Sequence, residues 1–334
     1  FPLNLFWYRN DYRHPKSLRF LWHIIDTLNL HSYVVTRWVL KKLKPDQIRT
    51  HNLKGIGLTT ALAVKPNKPI NQSTNKPYTW THFLHDVQLI TPSGLLIAGE
   101  ENSREHTGIP ARVYRRLCQR LFGSAHMVEA PSQWVFDIHQ RYGFFPESDF
   151  KHVIWYPFIN VIPESAQSGY LGSSSSPQAI NILKDWHPNR PLSFLFVGQL
   201  ASHKGIANLL DVMLALPRGS FILHIVGDGP QMEYVKSKTQ GIPWIYLHGR
   251  LSQIQVVELI KKVDVMLVPS IAHENCPTVI VEALQQGIPV MASAVGGIPE
   301  MLAHAQNGWL VPHRDSQAWS DQIRLLIGGL DKNT

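Results

Sequence analysis

Hydrophobic positions fall into two periods along this chain, and the period switches repeatedly. Leu18, Leu21, Ile24, Ile25 and Leu28 recur at helical spacing, which predicts one amphipathic helix over 17–43. LKPDQIRTHN then predicts a turn at Pro45 and a short strand, and PYTWTHFLHD (77–86) is a β-rich run after a Pro/Asn-rich turn. A helix follows over 109–121, with Pro110 in its first turn, where the missing N–H is no loss. SAHMVEAPS predicts a strand, 132–142 a helix and HVIWYPF a strand. Residues 163–190, rich in Ser, Gly and Pro, predict a linker or an exposed excursion.

After that break the alternation restarts. FLFVG, FILHIVG, WIYLHG, DVMLVPS, PVMAS and GWLVP predict strands. Helices are predicted between them over 204–216, 231–239, 253–262 and 278–286, and a last one, capped by Asp315, runs to about Leu326. Ser252 and Gln255 have capping-box spacing at the start of the third of these. Continuous apolar strands separated by amphipathic helices predict doubly wound parallel sheets of the α/β class. The division expected is a first domain over 1–162, the linker over 163–190 and a second domain over 191–334.

Composition narrows the function classes. The chain has 334 residues, 44% of them hydrophobic, which excludes wholesale disorder and suits two domains. Lys plus Arg is 32 against 24 Asp plus Glu, a formal charge of +8. The basic residues are scattered rather than in blocks, which argues against nucleic acid and leaves anionic membrane or phosphorylated substrates as partners. The stretch from Leu21 to Leu40 is interrupted by His23, Asp26, Asn29, His31 and Arg37, so nothing approaches the roughly 18 apolar residues that cross a bilayer. Two cysteines, Cys118 and Cys276, exclude a disulfide framework and suit a reducing, cytoplasmic setting.

In open α/β sheets ligands gather where strands end. FLFVG ends in Gln199 and leads through Lys204 and Gly205 into a helix, pairing a cation with an anion-friendly helix start. DVMLVPS leads into Glu274, Asn275, Cys276, Pro277 and Thr278, then into a helix carrying Glu282. With a helix beginning near Pro277, Glu274 lies before it, Glu282 lies one turn inside, and the amides of Thr278 and Val279 open the same space. That combination suits a phosphate beside sugar hydroxyls; the bland alternative is an electrostatic cap plus a solvated face. PVMAS leads into Gly296 and Gly297. IVGDGPQM has Met232 where a dinucleotide fingerprint wants its third Gly, so nicotinamide binding, with Arg250 reading a 2′-phosphate, is disfavoured. Arg250 is read equally as a base contact or a solvated residue, and Cys276 as a packing residue rather than a reactive thiol. His85 and Asp86 lack the i, i+4 pairing of a metal site, so no metal is expected. Trp22, Trp38, Trp80 and Trp134 are read as core or domain-surface residues.

The ordered series FLFVGQLASHKGIANLL, IVGDGP, HGRLS, VDVMLVPSIAHENCPTVIVEALQQGIPVMASAVGGIPEML and NGWLVP resembles the family 4 GT-B retaining glycosyltransferases. The first half is similar to them in KPDQIRTHNLKG, FLHDVQLITPSG and APSQWVFDIHQRYGFFP. The resemblance implies two Rossmann-like domains facing across a cleft, and a sugar passed from a nucleotide-diphosphate sugar to an acceptor hydroxyl with retention. It implies no cofactor and no metal. It places Glu282 on the ribose, Glu274 against the donor sugar, Lys204 on the diphosphate, Asn275 to Val279 on sugar hydroxyls and phosphate, and His85 on the acceptor side. The family's usual Arg is here Gln199, which donates a hydrogen bond without the charged fork. The family's opening strand and Gly-rich loop would precede residue 1 and its closing helices would follow Thr334, so the resemblance implies a fragment with an incomplete first sheet. The implied setting is cell-envelope polysaccharide or glycolipid synthesis, with an acceptor glycan or lipid-linked sugar and peripheral contact with the inner membrane face. The alternatives are a non-catalytic sugar-binding accessory subunit and a sugar-nucleotide epimerase on the same fold.

Overall fold

A computed structural model describes residues 14–53, 55–65, 78–153, 190–302 and 307–328. It divides into two compact units, Phe1–Val153 and Ile154–Thr334. The expected linker over 163–190 lies outside the described residues, apart from Arg190, as does all of HVIWYPF past Val153.

In the first unit the predicted 17–43 helix is two helices, α1 (Lys16–Thr27) and α2 (Leu30–Leu43). The hydrophobic period runs through the break. Asn29 interrupts it because its side chain accepts the Ser32 amide at 3.0 Å and caps α2. Then come β1 (Gln47–Thr50), α3 (Thr59–Val64), β2 (Thr79–Phe83), α4 (Arg104–Thr107), α5 (Ile109–Phe122), β3 (Met127–Ala130), α6 (Gln133–Arg141) and β4 (Asp149–His152). The last strand thus lies earlier than HVIWYPF suggests. All four strands pair in parallel in the order β1-β2-β3-β4. Trp80, Phe122, Val128 and Phe145 fill the core beneath them, and Trp22 is also fully buried, whereas Trp38 stands 61% exposed.

The second unit runs β5 (Leu192–Val197), α7 (Ile206–Leu214), β6 (Phe221–Val226), α8 (Met232–Thr239), β7 (Ile245–Gly249), α9 (Gln253–Ile260) and β8 (Val265–Val268). It continues with α10 (Thr278–Gln285), β9 (Val290–Ser293), α11 (Ile298–Met301), β10 (Gly308–Val311) and α12 (Ser316–Gly328). Both expected caps form: the Ser252–Gln255 box, and Asp315, whose carboxylate takes the Ala318 amide at 2.9 Å. The six strands are parallel in the order β10-β9-β8-β5-β6-β7. The chain therefore winds from β5 through β6 and β7 to one edge, then returns to β8 beside β5 and winds to the other. Phe194, Leu223, Leu267, Met291 and Trp309 make the core on one face, under α7 and α12.

Candidate functional site

The reversal of winding puts the ends of β5 and β8 side by side with their crossovers leaving in opposite directions, the place where such sheets accept ligands. The loop after β5 makes a tight turn at Ser202–Lys204 and enters α7 through Gly205. The backbone ties it to the loop after β8: the His203 carbonyl accepts the amides of Ile271 at 3.0 Å and Ala272 at 3.2 Å. Gly205 has φ +72°, and a Cβ there would overlap the carbonyl oxygen of Pro269.

On this fixed frame the Lys204 ammonium donates to Glu274 Oε1 at 2.6 Å, across 70 residues of sequence. Ser270 Oγ donates to the same oxygen at 2.5 Å. Both partners of the ion pair are mostly sheltered, with side chains 29% and 16% exposed. Glu274 is held by its backbone as well. Its carbonyl accepts the Gly297 amide at 2.7 Å, and Gly296, at φ +59°, lets the loop after β9 lie directly on it. Next door, His273 Nδ1 accepts the Gly296 amide at 3.0 Å, which fixes its other nitrogen as the protonated one when the ring is neutral. His203 is held below the ordinary imidazole range by burial and by the Lys204 charge, against the pull of Glu274.

Asn275 is buried, and Cys276 is half-buried with its thiol pushed up to about 11 by burial and by Glu300. Pro277 is the N-cap of α10 and has no side-chain acceptor to offer the first amides, among them Thr278 and Val279. Glu282 lies one turn into α10, where Gln253 Nε2, from the start of α9, approaches it at 3.5 Å. Burial raises its carboxyl above the usual range, and the Gln253 contact opposes this. Gln199 and Arg250 lie exposed at the ends of β5 and β7.

At the strand ends of the first unit, His85 Nε2 and His51 Nδ1 are 3.0 Å apart, and Asn52 donates to Asp86 at 3.2 Å. Burial and the mutual His charge lower His85; burial and Arg49 lower His51, opposed by Glu129. One step back, His82 Nδ1 meets Thr50 Oγ1 at 2.8 Å in the core.

The structure thus joins Lys204 to Glu274 and sets the helix start and Glu282 on the same crossover. The sequence alone does not single out Ser270, Gln253 or His51. Ser270 and His51 do sit at the strand ends, the one signal that would have pointed to them. Among the described residues, no group of three or more His, Cys, Asp or Glu is placed to hold a metal. No helix among them is long and apolar enough to cross a membrane.

Chemically, these strand ends offer the Lys204 cation, helix amides with no side-chain cap and two carboxylates. That set takes a phosphate on one side and hydroxyl donors on the other. Residues 181–332 match the family model described as glycosyl transferases group 1. Over 146 residues the chain is 30% identical to the putative colanic acid biosynthesis glycosyltransferase WcaL of Salmonella typhimurium, covering 41% of this chain and 36% of that protein. Over 163 residues it is 28% identical to the amylovoran biosynthesis glycosyltransferase AmsK of Erwinia amylovora, covering 46% and 40%. The matched stretches thus span well under half the length of these relatives. Anabaena HepE, solved in complex with UDP, superposes with a TM-score of 0.59 at 19% identity over 89% of this chain and 72% of HepE, a likeness of fold.

Proposed function

We propose, from the match of residues 181–332 to the glycosyl transferases group 1 model and from two parallel-sheet α/β units with the GT-B fold, that the protein transfers a sugar from a nucleotide-diphosphate sugar to an acceptor hydroxyl in polysaccharide or glycolipid synthesis. The observation that carries this reading is the Lys204–Ser270–Glu274 cluster at the reversal point of the second sheet, next to the start of α10. The named functions of WcaL and AmsK support it, as does the UDP bound by HepE.

In this reading the diphosphate lies at the first amides of α10 and draws the Lys204 ammonium from Glu274 towards itself. Gln199 adds a hydrogen bond. Asn275 and the following backbone to Val279 hold sugar hydroxyls and phosphate, Glu274 faces the sugar, Glu282 accepts from the ribose, and Arg250 flanks the base. The bond between the sugar's C1 and the phosphate oxygen breaks with its electron pair on the diphosphate. The acceptor oxygen bonds to C1 with retention, and the acceptor proton passes to the leaving phosphate. Charge grows on the diphosphate in the transition state, so a cation and dipoles already aimed at it lower the barrier; losing one such donor typically costs on the order of 10²–10³ in rate. Lys204 and the helix start fill the role a divalent ion would play, and the reaction proceeds without one. His85, steadied by His51, serves the acceptor side from the first unit.

The protein also meets an anionic membrane surface in this reading. Leu28 in the turn after α1 and Leu30, Val34, Trp38 and Leu43 on α2 are exposed, α2 has no acidic residue, and Arg37, Lys41, Lys42 and Lys44 accompany them.

The test is turnover of UDP-, GDP- and ADP-sugars by the intact protein, with and without chelator. Glu274→Ala should abolish turnover while the melting curve stays that of a folded protein, and Glu282→Gln should raise the donor KM far more than it lowers kcat. Binding of a nucleotide sugar with no turnover would identify the accessory subunit instead, and C-epimerised nucleotide sugar as product would identify the epimerase.

A further inference from the structure

Lys204 and Ser270 both bond Glu274 Oε1, and they differ in what else they can do. Lys204 is on a long, partly exposed side chain with three donors, so it can serve a carboxylate and then a phosphate. Ser270 is 1% exposed, directly beyond Pro269 at the end of β8, with one O–H to give. Its hydroxyl is committed to Glu274. Glu274 Oε2 carries no bond among the described residues. The carboxylate is therefore fastened by one oxygen and presents the other.

We propose that Ser270 is a positioning residue for Glu274. It holds the carboxylate in one rotamer through Oε1 and keeps doing so when a diphosphate takes Lys204 away. Without it, Glu274 loses its last side-chain anchor at the moment the ammonium leaves, and Oε2 no longer has a fixed direction towards the sugar. The backbone clamp from Gly297 secures the main chain of residue 274 but leaves the side-chain torsions free. The buried hydroxyl thus supplies the part of the geometry that neither the loop nor Lys204 can. This rests on the glycosyl-transfer reading above.

Ser270→Ala removes the hydroxyl without adding bulk, and Ser270→Cys keeps the size with a weak donor. In the intact protein, both should bind the nucleoside diphosphate as the unaltered protein does, read by thermal shift. Both should keep the donor KM within about threefold. Ser270→Ala should lose about ten- to a hundredfold in kcat, the range of one hydrogen bond to a charged group, with Ser270→Cys between it and the parent. An active parent with unchanged kcat in both variants overturns the proposal alone. So does a loss confined to KM or to nucleoside diphosphate binding. A parent that turns over no sugar donor overturns the glycosyl-transfer reading, and this proposal with it.

Discussion

The carbonyl of Pro269 occupies the space in which a side chain on Gly205 would begin. This contact, rather than any property of the turn alone, decides how closely the loops after β5 and β8 approach, and so whether Lys204 reaches Glu274.

Gly205→Ala should therefore do more than strain one residue. The αL conformation by itself costs on the order of 1 kcal/mol for a residue with a Cβ. Gly219, at φ +77° with open space around it, measures that contribution alone. Gly205→Ala should lower the melting temperature clearly more than Gly219→Ala and weaken the thermal shift given by a nucleoside diphosphate. Equal effects of the two substitutions on both readouts would show that the loops do not depend on this contact.

Two histidines in the core of the first unit predict its response to acid. His82 is held at about 3, by burial first and then by His139, His85 and His51. His139 is held at about 4 by burial, against the pull of the Val135 carbonyl it bonds at 2.6 Å. Both pKa values lie below the unfolded value of 6.5, so the folded state favours the neutral rings. Their contribution is fully present above pH 6.5 and is lost as pH falls from there to about 4 for His139 and about 3 for His82, because the unfolded chain takes up protons that the folded unit refuses. Denaturant midpoints should fall over that window. His139→Leu, which cannot titrate, should flatten the slope; a variant with the parent's slope would remove His139 from the explanation.

The exposed apolar and basic side chains of α2 and of the turn before it predict binding to anionic vesicles. Lys42 lies over the Trp38 ring at 5.1 Å, joining a cation to an interfacial aromatic. Co-sedimentation should be strong with phosphatidylglycerol in phosphatidylcholine vesicles, weak with phosphatidylcholine alone, and reduced by salt. The pair Lys41→Glu and Lys42→Glu should lower partitioning by at least about tenfold, since each basic residue near such a surface contributes on the order of 1 kcal/mol. Partitioning indifferent to the anionic lipid would exclude the surface as a membrane contact.

Taken alone, the amino-acid sequence determined most of the local order. The strands of the second unit and its helices other than α11, the Ser252–Gln255 box, the Asp315 cap and the position of Glu274 before α10 and Glu282 within it all follow from periodicity and capping between near neighbours. It failed where the deciding contact is a side chain set against a continuing pattern: Asn29 ends a helical period that otherwise runs unbroken to residue 43. It was silent on strand order, which depends on how crossovers pack rather than on any one strand. Only the tertiary structure decided that Lys204 and Ser270 share one oxygen of Glu274, that His51 meets His85, and that the Pro269 carbonyl fills the place of a Gly205 side chain. Those residues lie from 4 to 70 positions apart, and close contacts of this kind are set by the geometry of the folded sheet, which no single stretch of sequence encodes.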